Sequence, residues 1–400
     1  MKILWTLPYV PWPTVGGNRV RVYNLLRNLS ARGHRITLVM QTDCEWDEAR
    51  RELEPLVERI IILWRRRRLS PVTLLAAAFS RYPVDVSIYG FSRSMRKIMQ
   101  DLLKEPWDIV QVEHSYGLQS FLSILERLDQ PFVMTEHNVE STLVHTNHYH
   151  HRVPKALLPS LHKFDLWRYR RWERRAFAAP RRLIAVTQPD ADRMSTIGHR
   201  AVDVIANGAD TESGAAVHPA RDRPHIMFIG NFAYPPNQDA VEWAASEIMP
   251  RIWRTLPAAR FIVCGGFARP EWPTRWPDPR IEWRGFVPDI AAVQRECAVF
   301  LAPLRSGGGS KLKVLEAMAA GMPVVSTQEG VSGLAAVPEQ EYIAGEDADA
   351  LAAGVIDLLN DPVSSERIGE AGRRYVQTTH GWKALTENLE KVYRDAMVPR

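Results

Sequence analysis

Two groups of residues in this sequence have the types and spacing that chemistry needs. The first is Gly307-Gly308-Gly309-Ser310-Lys311-Leu312-Lys313-Val314-Leu315-Glu316. Glycines let a ligand approach the main chain closely, because they carry no Cβ. The helix that follows would offer unpaired N–H groups and a positive dipole end, which suit a phosphate. Lys311 and Lys313 add mobile positive charge, and Glu316, about one turn in, is placed to accept from two vicinal hydroxyls. The run is neither G-x-x-x-x-G-K-[ST] nor G-x-G-x-x-G, which excludes a P-loop. A plain tight turn is the alternative. The second group is Glu113-His114-Ser115 and Glu136-His137-Asn138, a carboxylate beside a histidine twice over. A histidine or carboxylate within reach of a hydroxyl is general-base chemistry. Neither pair has metal-ligand spacing on one helix, so no zinc is inferred.

Strands and helices must carry these groups. Ala298 to Leu304 reads as a buried strand, Gly321 as the stop of the lysine-bearing helix, and Pro323 as the entry to another strand. Asp108–Val112 and Pro131–Thr135 read as strands that deliver the two Glu-His pairs at their ends. The chain opens with a strand, Lys2 to Leu7, then a loop with three prolines ending in Gly16-Gly17. A helix follows with Val22, Leu25, Leu26 and Leu29 at helical spacing and Asn18 as its expected cap. Arg35 to Gln41 is the next strand, completing a parallel crossover whose ligand edge is the carboxyl end of the sheet. Thr211 to Pro224 has no apolar periodicity and reads as a boundary. The alternation then restarts at His225–Ile229, with Gly230-Asn231 after the strand and a helix over Asn237–Trp253. The pattern is two α/β domains.

Four hundred residues suit two domains better than one. Three widely spaced cysteines, Cys44, Cys264 and Cys297, point to a reducing compartment without a disulfide frame. No apolar run is long enough to span a membrane, and prolines 8, 11 and 13 break up the opening apolar segment. The expected location is cytoplasmic. The net charge of +5 conceals an asymmetry. Residues 1–205 hold 31 basic and 21 acidic residues, against 20 and 25 in the remainder. A basic first half suits an anionic partner such as a membrane surface or a phosphorylated acceptor. Nucleic acid is not expected, because no recognition motif is present. Arg65 to Arg68, beside Trp64, and the arginine-rich helix Lys163–Ala179 are the segments that could meet anionic lipid, although a solvated face and packing on the sheet explain them as well. The tract His145, His148, His150 and His151 reads as a loop, and no functional metal is assigned to it.

Taken together, the motifs resemble the family 4 glycosyltransferases over nearly the whole chain. The resemblance is carried by Gly16-Gly17, Asn207-Gly208-Ala209-Asp210, Gly230, Gly285-Phe286-Val287 and the run Lys313 to Val325 (KVLEAMAAGMPVV). It implies the GT-B fold, with two Rossmann-like domains whose parallel sheets face across a cleft and a C-terminal helix that returns toward the first. The expected bounds are an acceptor-binding domain over 1–206, a linker over 207–224, a nucleotide-sugar-binding domain over 225–375, and a returning helix over 376–400. The implied activity is a retaining, metal-independent transfer of a sugar from a nucleotide sugar to an acceptor hydroxyl, in cell-surface polysaccharide or glycolipid synthesis. Glu316 matches the second glutamate of the family's pair and would hold the ribose. The first glutamate falls on Gly308, and the usual arginine and lysine fall near Asn231 and Asn237. The diphosphate would therefore rely on Lys311, supported by Arg305 or Lys313, on the main chain from Gly307 to Ser310 (Gly309 included), and on Gly16, Gly17 and Gly230. Glu113 or His114 would lie near the acceptor hydroxyl, with His137 beside them. A sugar-nucleotide epimerase on the same fold and a non-catalytic nucleotide-sugar binder stay open as rivals. A dehydrogenase is disfavoured by the glycine spacing.

Overall fold

The computed structural model describes residues 1–14, 16–42, 45–65, 79–90, 93–143, 158–307 and 311–398. Cys44, Arg66 to Arg68, the tract from His145 to His151, and Gly308, Gly309 and Ser310 lie outside them. The chain forms two units, one of residues 1–206 with 386–400, the other of residues 207–385.

In the first unit the described strands are β1 (Lys2–Leu7), β2 (Arg35–Thr42), β3 (Arg59–Trp64), β4 (Ile109–Glu113), β5 (Phe132–Glu136), β6 (Arg182–Ala185) and β7 (Asp203–Val204). They pair in parallel in the order β3-β2-β1-β4-β5-β6-β7. Every residue of β4 and β5 is buried, so the strands are largely apolar on both faces, and the polar side chains Gln111, Glu113, Thr135 and Glu136 stand at or toward their carboxyl ends. The order turns back between β1 and β4. At such a switch point the crossovers leave on opposite faces and open a crevice above the carboxyl ends.

Helix α1 (Gly17–Ala31) follows β1 and buries Val22, Leu25, Leu26 and Leu29 as the spacing predicts, together with Arg21. Its cap differs from expectation. Gly16, at φ 97°, is the N-cap, and no side chain caps the helix. Asn18 lies inside it, its side chain accepting from the amide of Arg19. Helix α2 (Asp47–Leu53) follows β2. The arginine-rich helix, α3, runs over Leu158–Ala178. Tyr169, Trp172 and Phe177 are buried from it, while Phe164 and Trp167 stay exposed.

The second unit carries β8 (His225–Ile229), β9 (Arg260–Cys264), β10 (Ile281–Gly285), β11 (Val299–Ala302), β12 (Val324–Ser326) and β13 (Ile343–Ala344), parallel in the order β10-β9-β8-β11-β12-β13. Residues 207–224, read as a linker, cluster with this unit and include a short helix, Thr211–Ala215, capped by Asp210. The helix expected over Asn237–Trp253 begins earlier, at Pro235, as α4 (Pro235–Trp243). It then passes through a wide turn, Ala244–Ile248, into a helix over Met249–Thr255. Proline at the first helical position accounts for the earlier start, since its missing N–H would be unpaired there anyway. Helix α5 (Leu312–Ala319) lies between β11 and β12.

The closing helix, α6 (Trp382–Met397), begins in the second unit and from Thr386 onward belongs to the first. Its Glu390 accepts from Arg32 Nε and Nη2 at 2.7 and 2.9 Å and lies 2.7 Å from His34 Nε2. The hydrogen bonds from Arg32 come first in holding its carboxyl down to about 2, against an ordinary 4.5. A carboxyl lowered on folding stabilises the fold above its unfolded pKa, and that contribution is lost as pH falls. Glu390→Gln is therefore expected to cost about 2 kcal/mol at pH 7. The gap should narrow through pH 4 and vanish near pH 2, as read by urea melts across that range.

Candidate active site

The strand ends of β4 and β5 bring Glu113, His114, Glu136 and His137 together, but not in the pairs their sequence positions suggest. His137 Nε2 lies 3.1 Å from Glu113 Oε2, and His114 Nδ1 lies 3.0 Å from Glu136 Oε1. Each carboxylate thus takes the histidine of the other strand. Successive side chains on a strand point to opposite faces, so Glu113 and His114 cannot share one. Gln111 and Glu113 do share a face, as do Thr135 and His137, and Gln111 Nε2 donates to Glu113 Oε1 at 3.0 Å and to Thr135 Oγ1 at 2.8 Å. On the other side, the Ser115 amide donates to Glu136 Oε2 at 2.7 Å. His114 sits at φ 62°, which turns the chain out of the strand, and its ring stacks on His137 at 4.4 Å and on Tyr116 at 4.7 Å.

Glu113 is 1% exposed, Arg21 1% and His114 3%. Burial alone would raise Glu113. The His137 hydrogen bond and the charge of Arg21 more than offset it, so the carboxyl is held below its ordinary range. Burial pushes His137 down to about 4, so it is a neutral ring donating to Glu113. Arg21 donates to the Ala206 carbonyl at 2.6 Å and stands as the buried countercharge of Glu113. A carboxylate can only accept, so His114 Nδ1 carries the hydrogen toward Glu136, and Nε2 is the ring nitrogen left over. That Nε2 is buried with no hydrogen-bond partner among the described residues.

The second group gathers at the switch point of the other sheet, between β8 and β11. Gly230 ends β8, and a Cβ there would lie 2.9 Å from the Asn237 side chain, so glycine is needed for Asn237 to lie over the strand end. Asn237 donates to the Asn231 carbonyl at 2.8 Å and accepts from Lys313 Nζ. Lys313 also lies over the Phe228 ring at 4.5 Å, and burial pushes its ammonium down to about 7. Glu316, three residues on, is raised to about 7 by burial, which Lys313 only partly offsets. Among the described residues its carboxylate has no hydrogen-bond or ion-pair partner. Lys311 is the N-cap of α5 and reaches Glu329 at 2.8 Å while only 6% exposed. Gly307, at φ 138°, faces the Lys311 ammonium and the Tyr234 hydroxyl. Arg305 points elsewhere. It pairs with Asp239 on α4 and lies over the Trp243 ring at 4.9 Å.

Gln111, Thr135, Arg21, Asn237, Tyr234 and Glu329 join these groups without having been singled out as site residues. Arg21 had a visible signal, a charge on the apolar stripe of α1 beside Val22 and Leu25. Glu329 and Tyr234 had none, because only the fold brings them near the loop. Among the described residues no group of three or more His, Cys, Asp or Glu is placed to hold a metal ion, and no helix is long and apolar enough to cross a membrane.

Residues 15–213 match the model described as Glycosyltransferase Family 4, and residues 223–361 the model described as Glycosyl transferases group 1. Among solved structures, the Anabaena protein HepE, in complex with UDP and glucose, superposes with a TM-score of 0.70 at 14% identity, covering 98% of this chain and 99% of that one. Sucrose-phosphate synthase from Thermosynechococcus elongatus gives a TM-score of 0.69 at 16% identity, covering 98% of each. The chain is a GT-B-fold glycosyltransferase related to the family 4 and group 1 glycosyltransferases, and its fold matches nucleotide-sugar-dependent members of that class. A Mycobacterium tuberculosis glycogen synthase is 22% identical over 420 residues, 98% of this chain and 94% of that protein. A Corynebacterium glutamicum GDP-mannose-dependent monoacylated alpha-(1-6)-phosphatidylinositol monomannoside mannosyltransferase is 29% identical over 120 residues, only 30% of its length.

Proposed function

We propose that the protein transfers a sugar from a nucleotide sugar to an acceptor hydroxyl, with retention of configuration, in cell-surface polysaccharide or glycolipid synthesis. The observation that carries this is the Glu316 carboxylate, which has no hydrogen-bond or ion-pair partner among the described residues and is offset only by the half-buried Lys313 ammonium on the same helix. The ribose hydroxyls of the donor donate to Glu316, and the diphosphate meets Lys311, Lys313 and the main chain at Gly307. Gly16 and Gly17 would add main-chain contact on the acceptor side. As the bond to the sugar breaks, charge builds on the departing diphosphate, and ammonium groups fixed in a dry site stabilise that charge most where it is greatest. His114 Nε2 is the atom that the buried cluster leaves for a substrate hydroxyl, whereas Glu136 meets its Nδ1 and His137 stacks on its ring. Related proteins support the donor class, with UDP in the HepE complex and GDP-mannose for the mannosyltransferase. A thermal-shift screen of nucleotide sugars tests the reading, since a ligand bound only by the folded state raises its melting temperature. If UDP- and GDP-sugars all leave the melt unmoved, the donor assignment fails. Anomeric analysis of the product by NMR tests retention. The exposed arginines of α3, with Trp167, suit peripheral contact with anionic lipid, and co-sedimentation with phosphatidylglycerol vesicles but not phosphatidylcholine vesicles checks it.

The pair at about 7 has a proton signature. An arriving diphosphate raises Lys313, which then takes up a proton, and ribose hydroxyls lower Glu316, which then loses one. Above pH 7 the lysine is the group left to change, so net uptake is expected. Below pH 7 it is the glutamic acid, so net release is expected. Calorimetric titrations in buffers of different ionisation enthalpy should show the sign reverse near neutrality. Lys313→Met should leave release alone.

A further inference from the structure

A cavity of about 510 Å³ opens at the carboxyl ends of β1, β2 and β3 in the first unit. Its aromatic walls are Tyr9, Trp12, Trp46 and Tyr116, each half-buried with part of its ring facing the space. The rings are held in place. Trp12 packs against Tyr23 at 5.2 Å, and Arg50 covers one side of Trp46 at 5.7 Å. Its lining also holds the carboxylates Glu45, Asp47 and Glu48 and the guanidinium groups of Arg19 and Arg65. Among the described residues Glu45 and Glu48 have no hydrogen-bond or ion-pair partner. Tyr9 meets His114 edge-on at 5.8 Å and Tyr116 stacks on it, so the inner wall is one ring's thickness from the His114 imidazole.

We propose that this cavity is the acceptor subsite and that it takes a saccharide, the ring of a pyranose lying on Trp12 or Trp46. The assignment rests on the transferase reading above. The lining selects the ligand. An acyl or polyprenyl chain would strip water from three carboxylates without repaying it, which is costly. A polyanion would meet those carboxylates at close range. A pyranose has an apolar face of C–H bonds, which suits the negative face of an aromatic ring, and a rim of hydroxyls that donate to carboxylates and accept from guanidinium groups. The volume falls inside the range of about 300–1,000 Å³ usual for small-molecule sites.

A printed glycan array, followed by saturation-transfer NMR with the methyl glycosides of any hits, tests the assignment on the whole chain. One arm uses free glycans and the other the same glycans on a lipid diphosphate. The expected result is binding of free glycans, weakened about tenfold in Trp12→Ala and Trp46→Ala. Glu48→Gln should weaken it less. Trp46 stands before a short surface helix, so Trp46→Ala carries the test if Trp12→Ala fails to fold by circular dichroism. UDP and GDP thermal shifts should be unchanged in every folded variant. The proposal is overturned if no glycan binds, if both tryptophan variants bind like the wild type, or if only the lipid diphosphate is bound whatever sugar it carries. Should UDP and GDP also fail to bind, the donor reading has failed. If they bind and glycans do not, the acceptor subsite alone is wrong.

Discussion

Glu316→Leu is expected to weaken nucleotide-sugar binding about 100-fold while making the empty protein more stable above neutral pH. The binding loss follows from two hydrogen bonds to a charged acceptor, each worth about 1.5 kcal/mol. The gain in stability follows from burial, which holds the carboxyl at about 7 against an ordinary 4.5. A group whose folded pKa is raised stabilises the fold below its unfolded value, and that contribution is lost as pH rises through the folded value. The wild type should therefore lose stability between pH 4.5 and pH 7 at this residue, and the leucine variant should not. Denaturant melts at pH 5 and pH 8, with and without UDP-glucose and GDP-mannose, separate the two effects. A variant that binds as tightly as the wild type removes the ribose contact from the account.

Glu113→Ala is expected to cost the first unit about 3–5 kcal/mol, because it strands the buried Arg21 guanidinium and the Gln111 amide. Arg21→Met should cost a similar amount by stranding Glu113. Removing both partners of a buried pair is far cheaper than removing one, so the double variant Arg21→Met with Glu113→Leu should recover most of the loss. The double-mutant cycle, read by urea unfolding, is therefore strongly non-additive. His114→Ala is the contrasting variant. It should lose some stability, because Nδ1 meets the buried Glu136 and the ring stacks on His137 and Tyr116, but turnover should fall far more than the melt explains, since Nε2 has no hydrogen-bond partner among the described residues. If Glu113→Gln instead keeps the melt and abolishes turnover, Glu113 is a catalytic group and not a positioning one.

The fold was legible because its signals are local. Val22, Leu25, Leu26 and Leu29 repeat at helical spacing, and the buried strands β4 and β5 read as short apolar runs ending in charge. The run from Lys313 to Val325 read as a helix followed by a strand, as the structure has it. Partner choice was not legible. Adjacent Glu-His dipeptides suggested two self-contained pairs, and only strand alternation with the β4–β5 register, Glu113 opposite Thr135, shows that they must exchange. The start of α1 was misplaced because Gly16 at positive φ takes the capping position and leaves Asn18 inside the helix. Lys313 reaches Asn237, 76 positions away in sequence, a contact which no local pattern encodes.

The most direct test of the donor site is a crystal of the whole chain soaked with UDP-glucose or GDP-mannose. The account expects diphosphate density against Lys311, Lys313 and the Gly307 main chain, with both ribose hydroxyls on Glu316. Ligand bound elsewhere on the second unit, or a Glu316 carboxylate turned into packed interior with the nucleotide present, would contradict it.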